Sequence, residues 1–140
     1  CMDEKIQSDW SYVFFPDVSK SAWYAKYVCV AKDKGIVSGI GGEFKPDLEV
    51  TRAETLKILL GAAGFTDINQ NYNDNYSSKP GWTFVSFPDA LIGEWYAKYV
   101  AYAKDKNIIG GYSDGSFKPG NSITRAEAAK VVVKILELVK

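Results

Sequence analysis

The chain contains an internal duplication, and this repetition limits its possible folds more than any other feature of the sequence. The segment 10–17 (WSYVFFPD) returns as 82–89 (WTFVSFPD), and 23–28 (WYAKYV) returns unchanged as 95–100, both at an offset of 72 residues. A loop that is one residue shorter in the first copy changes the offset to 73 for the rest of the repeat. In repeat proteins one unit cannot bury its own apolar faces, so neighbouring units complete the core. We therefore expect stacked repeats.

Each copy contains the same four-residue helix start, TRAE, at 51–54 and at 124–127. Thr supplies a side-chain oxygen at the N-cap, and Glu three residues later can accept the N–H of the cap residue, so that the two form a capping box. An apolar run follows each box, as expected for a packed helix. The predicted helix-capping residues are Thr51, Glu54, Thr124 and Glu127.

The Arg of each box, Arg52 or Arg125, is unexpected at a helix start. A cation in the first turn opposes the helix dipole and costs a few tenths of a kcal/mol. Helix formation alone therefore does not explain an Arg in both copies. The pattern predicts an anion beside each guanidinium, either from a partner or from this chain, where Asp17 and Asp89 are the candidates.

The order of patterns within each copy predicts a mainly α fold. A short segment that alternates aromatic and β-branched residues comes first and is typical of extended backbone. A helix at about 23–34, and at 95–106 in the second copy, is then ended by Gly35 or Asn107, both of which tolerate positive φ. A glycine-rich loop and the capped helix complete the unit. We predict tandem helix-loop-helix repeats with short extended segments before each repeat.

This pattern also gives the predicted domain boundaries. The connector is rich in Asn, Ser and Asp, and loops of its length are usually functional or poorly ordered. The predicted segments are an N-terminal leader, 1–9; a first module, 10–63; the connector, 64–81; and a second module, 82–140.

Charge and hydropathy argue against two classes of partner. Lys and Arg together number 17, as do Asp and Glu, so no net charge attracts nucleic acid. The chain also lacks an apolar run of about 18 residues, the length expected of a membrane-spanning helix. We predict no nucleic-acid partner and no membrane span.

The residues also give little support for an enzyme. The chain has no His, the commonest general base and a frequent metal ligand, and its two Cys lack a metal-binding spacing. The segment 111–115 (GYSDG) is interpreted as a turn, because one carboxylate is too few for calcium. We predict no catalytic residue, no metal and no cofactor. Paired carboxylates of the glycosidase type remain an open alternative.

Cys1 and Cys29 are predicted sites of lipidation or of one disulfide. A chain that begins with Cys is expected to be a processed or trimmed product, and its first residue is a candidate lipid anchor. For Cys29, which lies on a predicted helix, packing in the core is the alternative.

The motifs in combination resemble the S-layer homology (SLH) module. They are Phe-Pro-Asp, WYAKYV, GYSDGSFKP at 111–119 and ITRAE at 123–127, and the resemblance covers roughly 15–63 and 87–139. It implies non-catalytic, extracellular modules that hold proteins on the cell surface by binding a pyruvylated secondary wall polysaccharide. Three modules usually form a pseudo-threefold prism with ligand grooves between neighbours.

The resemblance also implies a glycan- or anion-binding site. In it, the Arg residues would hold the carboxylate of a pyruvyl ketal with paired hydrogen bonds. The Trp residues would be groove aromatics, and the Gly residues would lie in the loop that closes each pocket. A structural ion pair for each Arg and core packing for each Trp stay open as alternatives. The implied residues are Arg52, Arg125, Trp23, Trp95, Gly39 and Gly111.

Two departures from the family pattern shape the functional prediction. Only two modules are present, and the first loop, 39–43, lacks the Tyr and Asp of the second. A two-module chain can obtain a third module from another copy, and an open head-to-tail contact propagates into a polymer. We predict a non-enzymatic cell-surface structural protein that self-assembles with copies of itself into a surface layer, filament or tube. The alternative is an envelope-anchoring module that binds pyruvylated wall polysaccharide.

Overall fold

The computed structural model describes residues 15–68, 80–81 and 83–140. This part of the chain forms four helices and no extended sheet, with only isolated antiparallel bridges between residue pairs such as Ile40 and Glu43. The predicted mainly α fold is confirmed. The helices are α1, Ala25–Asp33; α2, Arg52–Ala62; α3, Ala97–Asp105; and α4, Arg125–Leu138.

The chain divides into two compact units, Cys1–Leu48 and Glu49–Lys140. The division falls inside the first copy of the duplication, before its TRAE box. Helix α2 therefore lies in the same unit as the whole second copy, where it contacts both α3 and α4. Within the described residues, the second unit thus contains three helices that come from two sequence repeats.

The ends of α1 and α3 confirm the predicted caps. Gly35 and Asn107 adopt φ of 69° and 56°, in the left-handed region that ends a helix. The N–H of Ile36 donates to the carbonyl of Ala31 at 2.8 Å, and the second copy repeats this bond. Both helices begin two residues later than the sequence predicted.

This later start corrects the predicted apolar face of the first helix. In a helix from 23 to 34 the apolar positions 23, 27, 28 and 31 would fall on one face, but Trp23 is 80% exposed and Tyr27 is 59% exposed. The helix begins at Ala25, so Trp23 lies before its first turn, and Ala25 and Val28 form the inner face instead. The equivalent Trp95 is 50% exposed. The alternative that both Trp side chains pack in the core is therefore wrong.

Each unit has its own core. The core of the first unit contains Phe15, Val18, Ala25 and Val28, with Phe44 packed against it. The core of the second unit joins α2, α3 and α4 to the segments around them. Its largest fully buried side chains are Phe117, Leu60, Ile108, Val85 and Val100.

An Asp in each copy ties the start of the repeat to its glycine-rich loop. The carboxylate of Asp17 accepts the N–H of Phe44 at 2.9 Å and of Lys45 at 2.6 Å, and Asp89 makes the same pair in the second copy. These bonds hold Lys45 at a φ of 55°, an uncommon conformation for a side-chain-bearing residue. The N–H of Phe44 is the main cause of the lowered pKa of Asp17. These backbone partners lie 27 and 28 residues away from Asp17 along the sequence.

Part of the predicted extended structure is visible in the second copy. Phe84 and Leu91 form an antiparallel bridge, and the N–H of Val85 donates to the carbonyl of Ala90 at 2.7 Å. The leader 1–9, the first extended segment up to residue 14, Trp82 and most of the connector lie outside the described residues. Within the described ranges, no helix is long and apolar enough to cross a membrane.

Candidate functional site

The candidate site is built around Arg52, the first residue of α2. Its side chain is only 10% exposed, which is unusual for a charged residue. Its Nε donates to the carbonyl oxygen of Phe117 at 2.8 Å, and its Nη1 donates to Oε1 of Glu127 at 2.8 Å. The TRAE Arg of the first copy is thus held by the loop and the TRAE Glu of the second copy.

Two aromatic rings complete the surroundings of this guanidinium. Its central carbon lies 4.6 Å from the ring centroid of Tyr112 and 5.1 Å from that of Phe117. A planar guanidinium can lie over an aromatic face and keep its edge free for hydrogen bonds, which an ammonium cannot do. Arg rather than Lys is therefore the residue that this arrangement requires.

Glu127 uses its two carboxylate oxygens for different purposes. Its Oε2 accepts the N–H of Thr124 at 3.0 Å and so caps α4, whereas its Oε1 accepts Nη1 of Arg52 and the hydroxyl of Tyr112, the latter at 2.5 Å. The hydrogen bond from Tyr112, then those from Thr124, and finally the charge of Arg52 lower the pKa of Glu127 to about 2. The same bond raises the pKa of Tyr112. Glu127 therefore stays ionised throughout the neutral range.

The capping boxes are present as predicted. Thr51 Oγ1 accepts the N–H of Glu54 at 3.2 Å, and Oε2 of Glu54 accepts the N–H of Thr51 at 2.9 Å. Thr124 and Glu127 repeat both bonds at 3.2 and 3.0 Å. The two helices therefore begin in the same way, and any difference between their Arg residues comes from the surroundings.

Those surroundings differ sharply. Arg52 finds the anion that the sequence predicted in Glu127, not in Asp17, whose carboxylate binds loop N–H groups. Arg125 is exposed, and its side chain has neither an ion pair nor a hydrogen bond within the described part of the chain. The two copies of one motif thus present one buried and one exposed guanidinium.

Gly111 begins the loop that holds Arg52, and the packing there leaves no space for a side chain. At its φ of 76°, a Cβ would overlap Cε1 of the Phe87 ring and lie 2.9 Å from the carbonyl oxygen of Ser116. Gly39 is equally confined in the first unit, where a Cβ would lie 2.5 Å from both the Phe15 ring and the carbonyl oxygen of Glu43. The packing of each loop against its Phe-Pro-Asp turn therefore requires glycine.

The other predicted site residues are distributed over both units. Trp23 and Gly39 belong to the first unit, while the ring of Trp95 lies 5.8 Å from Nζ of Lys57 on α2 in the second. The structure thus brings Arg52 to the loop that begins at Gly111 and leaves Arg125 at the surface.

Sequence reasoning missed the importance of Tyr112. Its hydroxyl bonds Glu127 and its ring lies beside Arg52, so one side chain contacts both members of the ion pair. The sequence does contain a signal, since Ile40 occupies the equivalent position in the first loop. That difference correctly marked the two loops as unlike but did not show what Tyr112 binds.

The remaining candidates behave as follows. Asp114 accepts the N–H and hydroxyl of Ser116, which lowers its pKa to about 2, and pairs with Lys118, so the 111–115 loop is a turn, as interpreted. No cluster of potential metal ligands occurs in the described ranges. Cys29 lies half-buried on α1, and Cys1 lies outside the described residues.

Comparison with known proteins identifies the family. The sequence profile of the S-layer homology domain matches residues 14–56 and 86–129. A cellulosome-anchoring protein of Acetivibrio thermocellus is 37% identical over 97 residues, which cover 69% of this chain and 20% of that protein. A surface layer protein of Brevibacillus choshinensis is 32% identical over 103 residues, or 73% of this chain and 8% of that protein.

An enzyme is also among the relatives. An amylopullulanase of Thermoanaerobacterium thermosulfurigenes is 32% identical over 123 residues, which cover 88% of this chain but only 6% of the enzyme. The chain spans a fifth or less of the length of all three relatives. The matches to surface-layer and anchoring proteins confirm the predicted cell-surface localisation. The chain belongs to the S-layer homology domain family, with two modules in tandem.

Proposed function

We propose that this chain is a non-enzymatic structural protein of the cell surface that assembles with copies of itself into a layer, filament or tube. One observation carries the proposal: the helix face that α2 buries inside the second unit is exposed on α4. We call this set of α4 residues the bare face. Its members are Arg125, Ala126, Ala129 and Val133.

On α2 the equivalent face is buried against the second repeat. Four residues of α2 are buried, and their spacing places them on one side of the helix. They pack against the second copy, whose loop and helices α3 and α4 receive them. Each of the four has its counterpart 73 residues later in the bare face. The buried α2 residues are Arg52, Ala53, Leu56 and Leu60.

The bare face continues into a wider apolar surface. Val133 is 54% exposed and Leu136 is 51% exposed, whereas Leu60, the counterpart of Val133, is 0% exposed. Contiguous exposed apolar surface on a folded protein is typical of an interaction site, because its burial against a partner is favourable. A further repeat could cover α4 as the second copy covers α2.

The decisive experiment measures the size of the purified chain in dilute neutral buffer by light scattering, with negative-stain microscopy. We expect particles much larger than one chain. Val133→Lys places a charge on the bare face and should reduce particle size. Leu91→Lys, which changes a similarly exposed apolar residue elsewhere, should not. A monodisperse monomer at all concentrations would overturn the proposal.

A second function is favoured by the exposed guanidinium. Arg125 lies at a helix N-terminus, where backbone N–H groups and the helix dipole also favour an anion. The resemblance to a cellulosome-anchoring protein supports envelope anchoring, with Arg125 binding the carboxylate of pyruvylated wall polysaccharide. Arg125→Ala should then abolish capture of the glycan and leave the helical circular dichroism unchanged. Equal capture by the variant and the parent chain would reject this role, and hydrolysis of the glycan would contradict the non-enzymatic assignment.

A further inference from the structure

We infer that Arg125 of one chain forms an ion pair with Glu54 of another chain of the same protein. This pair would repeat between chains the one that Arg52 forms with Glu127 inside one chain. The inference rests on the proposed self-assembly and names the residues that carry it. The N-terminus of α2 in another chain of this protein would therefore bind at the Arg125 end of the bare face.

The internal pair defines what the guanidinium needs. Arg52 binds one oxygen of a Glu whose other oxygen caps a helix, so the acceptor carboxylate is held in place before the Arg arrives. Little side-chain entropy is then lost when the ion pair forms, and the two charges meet with fixed geometry. A capping-box Glu is therefore a better partner than a mobile surface carboxylate.

Glu54 meets this requirement. It occupies the position of Glu127 in the first TRAE box, and its Oε2 accepts both the N–H and the hydroxyl of Thr51 at 2.9 Å. Glu127 makes the same two bonds to Thr124 at 3.0 Å, and its Oε1 is the oxygen that binds Arg52. In Glu54 both cap bonds likewise end on Oε2, which leaves Oε1 in the role of the acceptor.

Arg125 is the matching donor. It is exposed on the same first turn as Arg52, and within the described part of the chain it has no ion pair. Residues of the bare face extend from it along α4, so that the charge contact and the apolar contact are continuous. Each chain therefore carries one donor, Arg125, and one acceptor, Glu54. Such an interface is heterologous, and it closes into a ring or continues as a filament.

The test compares three single variants with the parent chain by sedimentation velocity and light scattering. Arg125→Glu reverses the donor charge and should leave the chain monomeric. Glu54→Gln keeps a capping side chain but removes the acceptor charge, so it should weaken association at least tenfold without loss of helix content. Lys130→Glu makes the same charge change as Arg125→Glu on the same helix, and it should leave assembly unaltered.

A mixing experiment separates a lost contact from a misfolded chain. The Arg125→Glu variant still carries the acceptor Glu54, so it should bind to exposed Arg125 of parent assemblies and shorten them when added in excess. If Arg125→Glu assembles as well as the parent chain does, the proposed ion pair is wrong, although self-assembly is not. A parent chain that stays monomeric would overturn both.

Discussion

The guanidinium of Arg52 and the carboxylate of Glu127 meet at 2.8 Å across 75 residues of chain, although each belongs to a copy of the same four-residue motif. The motif therefore supplies an anchor in one repeat and the receptor for that anchor in the next. The two halves of the duplication are joined through the residues that begin their second helices.

This relationship predicts unequal effects of one substitution at two equivalent positions. Arg52→Ala leaves the carbonyl of Phe117 without its Nε donor and removes one of the two donors to Oε1 of Glu127, so it should lower the free energy of unfolding by about 2–3 kcal/mol. Arg125→Ala, at an exposed site, should change it by less than about 0.5 kcal/mol. Urea denaturation of dilute protein, followed by circular dichroism, would measure both. Equal losses would show that the ion pair adds no stability of its own.

A second prediction concerns acid. The folded pKa of Glu127 is about 2, below the ordinary value of 4.5, so its contribution to stability is complete above that ordinary value and disappears as pH falls towards 2. Glu127→Gln should therefore flatten the dependence of the urea midpoint on pH in this window.

The Tyr112 hydroxyl provides a direct check on the cause. Tyr112→Phe removes the hydrogen bond that lowers the pKa of Glu127 most, so this pKa should rise. Carbon NMR of the Glu127 side chain would measure it. An unchanged pKa would assign the shift to Thr124 and Arg52 instead.

A third prediction uses two glycines of one loop. Gly111 and Gly115 both have positive φ, 76° and 81°, so Ala is strained at either position. Only at Gly111 would the added Cβ meet the Phe87 ring and the Ser116 carbonyl, while Gly115 has open space around it. Gly111→Ala should therefore destabilise the chain by at least about 1 kcal/mol more than Gly115→Ala. Thermal unfolding of the two variants gives the comparison, and similar midpoints would contradict the tight packing.

A fourth prediction concerns the carboxylate that ties turn to loop. Asp89→Ala leaves the N–H of Phe117, a residue only 1% exposed, without its acceptor, which should cost about 1–3 kcal/mol. Asp89→Asn keeps one acceptor oxygen and should lose less. Faster hydrogen exchange at the Phe117 amide in Asp89→Ala would identify the broken bond, and unchanged exchange would argue against it.

Local features of the fold were predictable because they depend on few neighbouring residues. The Thr–Glu capping boxes and the glycine or asparagine that ends each first helix act within a single turn of backbone, and the structure has them where the sequence placed them. The start of the first helix was predicted less well, and with it the alternative that Trp23 packs in the core failed. Because the helix begins at Ala25, Trp23 lies outside it, and periodicity fixes such a start poorly.

The site was less predictable, because its contacts join distant parts of the chain. The unusual position of Arg52 correctly indicated a nearby anion, but Asp17 and Glu127 are equally plausible partners on sequence alone. The partner of Arg52 is decided by the packing of α2 against the second copy, because Leu56 and Leu60 are buried in that core. The duplication predicted that neighbouring repeats share a core, but it did not show that the ion pair of Arg52 would also join two repeats.

The placement of α2 in the second compact unit also affects how the chain folds during synthesis. Translation proceeds from the N-terminus, so Arg52 leaves the ribosome 75 residues before the carboxylate that receives it. Until then Leu56 and Leu60 have no core to enter, and α2 is too short to be stable alone in water. We therefore expect the second unit to fold only after the residues up to Glu127 and the rest of α4 have been made.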